Sequence, residues 1–414
     1  MNKRTVLFLS LLILTLLLFF PSPSWSQLVI GQYEDEAPFR TWNTFGVKTA
    51  SSLARGETQF TLASDCSVAL SNPALLLKLP KAAFTLSYQS SKALFYKYSI
   101  VNTGVLFSEE NFPHQFYVID FIGTSVRFDG WALAVSWSLL EVYSRPPAEY
   151  QYMSGGTTYY SIDLEQKGKL DNINFSLSRR LFKGLSIGFG FNYVYGQLDR
   201  NIVEEWIVDR ITITDNKSQE YRGYYFNGGL SLDLTDKFRV GAVFRTPFTK
   251  KSKSQSSLGY NSPAGDTDIR IEATSNDEYY QPLVIGLGAS FEVSDGLRMM
   301  SDIVFYDWSS YKVDYFEEPL QRDFKDVIKI GVGAEYESSH VLFNQVFYVP
   351  WRVGFIYDPQ PMKEPSSSYL YFTFGSGIRW KRIVFDAAFI IGQERGSEDS
   401  LSANKVAFTL SYLF

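Results

Sequence analysis

Cysteine and histidine are nearly missing from this 414-residue chain, which has one Cys and two His. A single cysteine, Cys66, excludes an intramolecular disulfide, and so few Cys and His exclude the ligand spacings of a structural zinc site. No Gly-x-Ser-x-Gly motif is present, and nothing around His114 or His340 supplies the partners of a nucleophile. The chain also lacks an excess of positive charge: 39 Lys and Arg stand against 44 Asp and Glu, which gives no field for nucleic acid. Long apolar runs are confined to the first residues. Beyond residue 27 none reaches the ~20 residues a membrane helix needs, and a mean hydropathy of −0.10 excludes a helical membrane bundle. These absences predict a protein that is not an enzyme, with no catalytic residue, metal or cofactor.

Aromatic residues are plentiful: 27 Tyr, 34 Phe and 8 Trp make 17% of the chain. Membrane barrels place girdles of aromatic rings at both interfaces, which accounts for such an excess. The N-terminus reads as an export signal. Lys3 and Arg4 precede the apolar stretch Val6 to Phe20, Pro21 to Ser26 break it, and Ser24 and Ser26 are the small residues of a cleavage site before Gln27. An apolar stretch of about 15 residues is short for a membrane anchor.

Period-2 alternation dominates the remainder. Leu185, Ile187, Phe189, Phe191, Tyr193 and Tyr195 alternate with Ser186, Gly188, Gly190, Asn192, Val194 and Gly196. Trp131, Leu133, Val135, Trp137 and Leu139 alternate with Ala132, Ala134, Ser136 and Ser138. Phe238, Val240, Ala242 and Phe244 face away from Arg239, Gly241 and Arg245. Ile328, Ile330, Val332, Ala334 and Tyr336 face away from Lys329, Glu335 and two glycines. Several runs pass ten residues, the length of a membrane strand rather than the ~5–6 common in soluble sheets. In a sandwich the apolar face turns inward; in a membrane barrel it turns to lipid.

The connections sort into two classes. Short turns lie at Asp129-Gly130, Phe182-Lys183-Gly184, Thr235-Asp236-Lys237, Ser294-Asp295-Gly296 and Trp380-Lys381-Arg382, with a longer one around Ser338 to Tyr348. Polar stretches near 108–115, 145–165, 199–220, 249–281, 307–325, 358–368 and 393–403 alternate with them. Seven long and six short connections predict a 14-stranded antiparallel transmembrane β-barrel with both ends on the short-turn side, the asymmetry of bacterial outer-membrane barrels. The first strand falls within Ala82 to Phe107. The last runs Val406, Phe408, Leu410, Tyr412 to the terminal Phe414, an edge that closure onto the first strand would pair. That ending resembles the signal read by the barrel assembly machinery, an expected partner through Phe414. His114 then falls in an outer loop and His340 in an inner turn, too far apart to share a metal. Lys250, Lys251 and Lys253 open the longest connection, where they either meet lipopolysaccharide phosphates or keep the rim wet. Gly155-Gly156 and Gly375-Ser376-Gly377 sit at no strand-to-helix junction and are not phosphate loops.

Residues 27–80 do not alternate. Glu34-Asp35-Glu36 is a solvated acidic patch, and Ala63 to Leu79 combines small residues, Asp65, Asn72-Pro73-Ala74 and a leucine-rich segment just ahead of the first strand. That setting resembles the FadL family of outer-membrane transporters of long-chain fatty acids and other hydrophobic compounds. Phe324-Lys325-Asp326, Gly331 to Tyr336, and Trp351 to Pro359 with Pro361 are similar to the family's late-strand block. The resemblance implies a monomer whose N-terminal hatch fills the lumen, and with the export signal and strands read above the chain divides into a signal peptide at 1–26, an N-terminal extension and plug at 27–80, and the barrel at 81–414. It further implies that Asp65, Asn72, Pro73 and Ala74 belong to the plug, with Asn-Pro-Ala beside a lateral opening in the wall. Trp131 to Tyr143 holds neither Gly nor Pro, so no kink is predicted in the third strand.

The expected function is passive uptake of a hydrophobic small molecule such as a long-chain fatty acid. Tyr150, Tyr152, Tyr159 and Tyr160 in the second long connection, with Tyr315 and Phe316 in the fifth, are candidate ligand-binding rings. The expected surroundings are outer-membrane lipid and lipopolysaccharide. The alternative is a plugged barrel acting as a structural or secretion partner, similar to PorV, without transport. An apolar lumen would favour the first and a tightly packed polar lumen the second.

Overall fold

A computed structural model describes residues 45–95, 101–102, 105–106, 112–154, 156–315, 318–321, 323–364, 366–396 and 402–414. The expected signal peptide and acidic patch lie outside the described residues. The fold is a closed antiparallel barrel of fourteen strands. They are β1 (Ala82–Phe95), β2 (Phe112–Phe128), β3 (Trp131–Val142, continued by Arg145–Ser154), β4 (Thr157–Phe182), β5 (Leu185–Trp206), β6 (Ile211–Asp233) and β7 (Phe238–Arg245, then Phe248–Ser262). The circuit continues with β8 (Thr267–Gln281, then Val284–Ser294), β9 (Leu297–Tyr306, then Lys312–Tyr315), β10 (Glu318–Gln321, then Val327–Leu342), β11 (Gln345–Pro359), β12 (Ser368–Trp380), β13 (Ile383–Arg395) and β14 (Ser402–Leu413). Closure is made by β1 on β14, in register from Ala83 opposite Leu413 to Lys92 opposite Asn404. No strand is left with an open edge along this seam, as the C-terminal alternation predicts.

The two faces settle what alternation left open. Leu133, Val135, Phe175, Phe189, Leu287, Val353 and Phe372 are exposed, whereas Ala132, Ala134, Ser136, Ser176 and Asn192 are buried. The apolar face is outside and the small or polar face inside, the inverse of a sandwich and the arrangement of a wall that meets lipid.

Three details correct the sequence reading. The stretches 199–220 and 249–281 are not loops but paired strand. Phe248 to Ser262 pairs residue by residue with Gln281 to Thr267, turning through a short 3₁₀ segment at Pro263–Gly265. Their polarity comes from standing beyond the apolar wall, where both faces can be wet. Pro247 and Pro282, which cannot donate to a ladder, lie at the level where β7 and β8 break between wall and projecting hairpin. The turn placed at Ser338 to Tyr348 shrinks to two residues, Phe343 and Asn344, both at positive φ (51° and 57°). Such a pair matches a type I′ hairpin, whose twist fits that of its strands. His340 is thereby part of β10, exposed and 3.0 Å from Ser338 Oγ.

The third correction concerns β3. Its ladder with β4 shifts register between Leu139 and Glu141, and the strand breaks at Tyr143-Ser144 before resuming. No Gly or Pro precedes the bulge; Pro146 and Pro147 follow it and deny the strand two donors.

Candidate functional site: the plug and the wall beside it

Residues 45–79 fill the lumen with two single-turn helices, α1 (Ala50–Leu53) and α2 (Val68–Ser71), and a 3₁₀ helix at Pro73–Lys78. Such short helices have little stability of their own; polar contacts hold them. Asp65 joins two stretches of the plug: Oδ2 accepts from Thr49 Oγ1 (2.7 Å) and Ser51 Oγ (3.2 Å), and Oδ1 from the Ser67 backbone N–H (2.9 Å) and Ser67 Oγ. Asn72 Nδ2 donates to the Phe60 carbonyl (2.7 Å) and to Leu230 of β6 (3.0 Å), while its Oδ1 caps the Ala74 N–H (3.2 Å). Pro73 offers its carbonyl to Ser178 Oγ of β4. Buried Ala74 starts the 3₁₀ turn.

The wall glycines explain how a backbone can lie so close. A Cβ on Gly188 would strike Pro73 and Ala74; on Gly229, Asn72; on Gly241, Phe60. On Gly331, Gly333 and Gly354 it would strike the backbone of Arg55 and Gly56. Lumen-facing Gly in strand interiors weakens a sheet, and marks the close approach of another backbone. Side chains close the remaining contacts. Asp302 Oδ2 accepts the N–H groups of Gln59 (2.5 Å) and Phe60 (3.0 Å), and Thr373 Oγ1 accepts that of Gly56 (3.0 Å).

Charge is buried here in paired form. Lys329 of β10 lies 2.8 Å from Glu57 and 3.2 Å from Asp358. Glu335 is shared by Arg55 of the plug (2.9 Å) and Arg352 of β11 (2.6 Å), and Arg352 continues to Asp386 (2.5 Å). Lys48 Nζ donates to the Glu57 carbonyl and to Gln59 Oε1, and burial brings its ammonium down to about 8, against the pull of Glu57 and Asp302. Burial likewise pushes the Cys66 thiol up to about 11.

One seam of the wall is open. β2 and β3 pair only from Phe128 opposite Trp131 to Phe121 opposite Ser138. Above that, Tyr117, Val118 and Ile119 have partners on β1 alone, and Leu139, Glu141 and Val142 on β4 alone, among the described residues. Behind the parted strands is a cleft of about 30 Å³, lined by Leu140 and Glu141 of β3, Leu70 and Gly46 of the plug, and Arg245, Phe248 and Lys250 of β7. Lys250 is buried, not on the rim as expected: its Nζ donates to Tyr143 Oη (2.9 Å) and lies over the rings of Tyr221 and Tyr279 (4.6 and 4.9 Å). Lys251, by contrast, is exposed and pairs with Glu278. Arg245, also buried, stacks against Tyr225 and Phe248, and its Nε has no hydrogen-bond partner among the described residues.

The expected residues separate. Asp65, Asn72, Pro73 and Ala74 are brought together in the plug, but Asn72-Pro73 rests against β4 to β7 rather than at the β2–β3 seam. Tyr160 is buried against Trp206 (4.7 Å between centroids), while Tyr159 is exposed; neither lines the cleft. Phe316 and the side chains of Tyr150, Tyr152 and Tyr315 lie outside the described residues. Sequence reasoning passed over Arg245, Asp302, Lys329 and Asp386 as site residues, and it met Lys250 only as a rim lysine and Arg352 only within the late-strand block. Their signal was present for Arg245 and Lys329, charges on the small-residue face of an alternating strand.

Comparison with known proteins follows this geometry. No curated protein matches the chain. Among solved structures it is similar to a Pseudomonas aeruginosa FadL homologue (TM-score 0.64, 12% identity, covering 89% of this chain and 99% of that one). The Ralstonia pickettii toluene transporter TbuX gives 0.56 and 15%, covering 90% and 99%, and the Pseudomonas putida toluene transporter TodX 0.59 and 15%, covering 87% and 96%. At such identities the likeness is one of fold: a FadL-type plugged barrel. The family label comes from sequence, where residues 59–397, spanning most of the plug and nearly the whole barrel, match the BamG model; the chain belongs to the BamG family.

Proposed function

We propose that this barrel sits in the bacterial outer membrane and lets a hydrophobic small molecule enter passively from outside and leave sideways through the β2–β3 seam. The parted ladder carries this reading. A barrel wall leaves no backbone unpaired toward lipid unless it lines a cavity or meets protein, and the seam opens beside the cleft. Leu140, Leu70 and Phe248 supply apolar contact there, and Arg245 Nε, unbonded among the described residues, supplies one polar anchor. That combination suits an amphiphile with a carboxylate, such as a long-chain fatty acid. The similarity in fold to toluene and other hydrophobic-compound channels supports the general class. As it stands the cleft holds about two waters, judged by the ~10–15 Å³ each requires, so the side chains around Lys250 must part to admit a ligand. Binding of a fluorescent long-chain fatty acid to the barrel in detergent, wild type beside Arg245→Ala, tests this. Saturable binding, competed by unlabelled fatty acid and weakened at least tenfold in the variant, is expected. Signal equal to empty micelles overturns the fatty acid.

A second reading rests on the plug. Backbone seated on six wall glycines and locked by buried ion pairs suits a barrel that serves as a structural partner of other membrane proteins without transport. Membership of the BamG family, whose name hints at the barrel assembly machinery, supports it. Failure of every apolar probe to bind would shift the weight here.

A further inference from the structure

The hairpin that β7 and β8 raise beyond the wall ends in an open strand edge. Lys251 to Asn261 of β7 are paired on both sides, with β6 and with β8. On β8 only Glu278 to Tyr280 reach across to β9, whereas Thr267 to Asn276 have ladder partners on β7 alone among the described residues. Ten residues at ~3.4 Å each leave about 34 Å of backbone donors and acceptors facing outward. Such edges are ordinarily blunted by proline, a bulge or inward-pointing charge. No proline lies between Thr267 and Gln281, and the ladder with β7 runs without a register shift. The charges present, Asp268, Arg270 and Glu272, share one face, where Arg270 and Glu272 already pair at 3.0 Å.

The other face is apolar. Odd residues of β8 share the side of buried Asp277 and Tyr279, so Ile269, Ile271 and Ala273 turn toward the barrel mouth. Tyr260 and Leu258 of β7 stand opposite Ile269 and Ile271. Leu258, Ile269 and Ile271 are about half exposed, and their apolar surface stops at the open edge. We propose that this edge receives an extended segment of another surface protein as an added antiparallel strand. The exposed backbone supplies the hydrogen bonds and the alternating side chains supply the choice of partner. Apolar residues on the added strand continue the face of Ile269 and Ile271. A basic, an acidic and a basic residue oppose Glu272, Arg270 and Asp268, since opposite charges across a ladder attract. A second copy of the chain does not fit. Two barrels in one membrane raise their hairpins the same way, so like edges run parallel, and the apolar face of one continues into the charged face of the other. The inference goes beyond both readings of the cleft and needs only that the long hairpins face outward.

The probe is a fluorescein-labelled peptide, Val-Lys-Val-Glu-Val-Lys-Thr, which in antiparallel order opposes Ala273 to Thr267. Anisotropy follows its binding to the barrel in detergent, beside the charge-swapped Val-Glu-Val-Lys-Val-Glu-Thr and a fully N-methylated copy of the first. Binding at least tenfold tighter than either control is expected. The triple variant Asp268→Lys, Arg270→Glu, Glu272→Lys alters exposed side chains only and should reverse the preference between the two charged peptides. No binding, an unreversed preference, or no loss on N-methylation overturns the added strand. A doubled barrel mass in light scattering without peptide places a second copy on the edge and overturns the peptide partner. None of these outcomes depends on whether the cleft takes a fatty acid.

Discussion

Gly229 of β6 lies so close to Asn72 of the plug that a Cβ at the glycine would fall on the asparagine's side-chain amide. The wall cannot retreat, since Gly229 is held in register by Gly188 on one side and Val243 on the other. Gly229→Ala should therefore displace Asn72 and loosen the plug while the barrel stays closed. Cys66, the only cysteine, is buried in the plug, so its alkylation reports the event. A rise of at least tenfold with unchanged heat-modifiable mobility is expected; no change would show that Asn72 is not held by this contact.

Asn72→Ala approaches the same joint from the other side. It leaves the Phe60 and Leu230 carbonyls without their donor and uncaps Ala74. A buried polar group that loses its partner costs about 1–3 kcal/mol. Faster Cys66 alkylation and protease cleavage within 45–79 are the expected outcomes, and Pro73→Ala, which removes no hydrogen bond, should do less.

Lys329 and Glu57 tie the plug to β10 at the opposite wall. Lys329→Met takes away the cation bonded to both Glu57 and Asp358 and leaves the two buried carboxylates with the weaker pull of Lys405 and, for Glu57, Lys48; removal of one partner of a buried pair costs about 3–5 kcal/mol. The double variant Lys329→Met, Glu57→Gln should recover part of the loss, because it removes charge from both partners. Urea midpoints of plug release, followed through Cys66, distinguish the two. Equal midpoints for single and double variants would mean that the pair does not couple.

The barrel was legible because strand alternation and turn length are local. Leu185 to Gly196 shows both faces of its strand without reference to any other residue, and Phe414 marks the closing edge. Asn72-Pro73-Ala74 announced the plug by composition. Where the plug would rest was not legible, since Gly229, Gly241 and Gly354 read only as small residues until the opposing backbone is known. The break after Val142 escaped for a related reason. It follows from a bulge at Leu140 and from prolines beyond it, not from a helix- or strand-breaking residue at the kink. Lys250 misled most: its lysine neighbours suggested a solvated rim, yet period 2 turns it inward while Lys251 and Lys253 face out.

The Cys66 thiol gives a pH test of the docked plug. Burial raises it to about 11, with its Sγ facing Ala83 O and Ser125 Oγ at 3.5 Å. An unfolded cysteine titrates near ~8.5. The folded value lies above the unfolded one, so the neutral thiol favours docking below about pH 8.5, and this contribution fades as pH climbs toward 11. Only the thiolate attacks an alkylating reagent. At pH 8 a thiol titrating at 11 presents on the order of two hundredfold less thiolate than a free one. Slow alkylation at pH 8 that accelerates about tenfold per pH unit up to 11 is expected for a plug that stays seated. A rate already matching free thiol at pH 8 would mean that the plug leaves its seat on the timescale of the reaction, and that the contacts of Asn72 and Glu57 do not keep it closed.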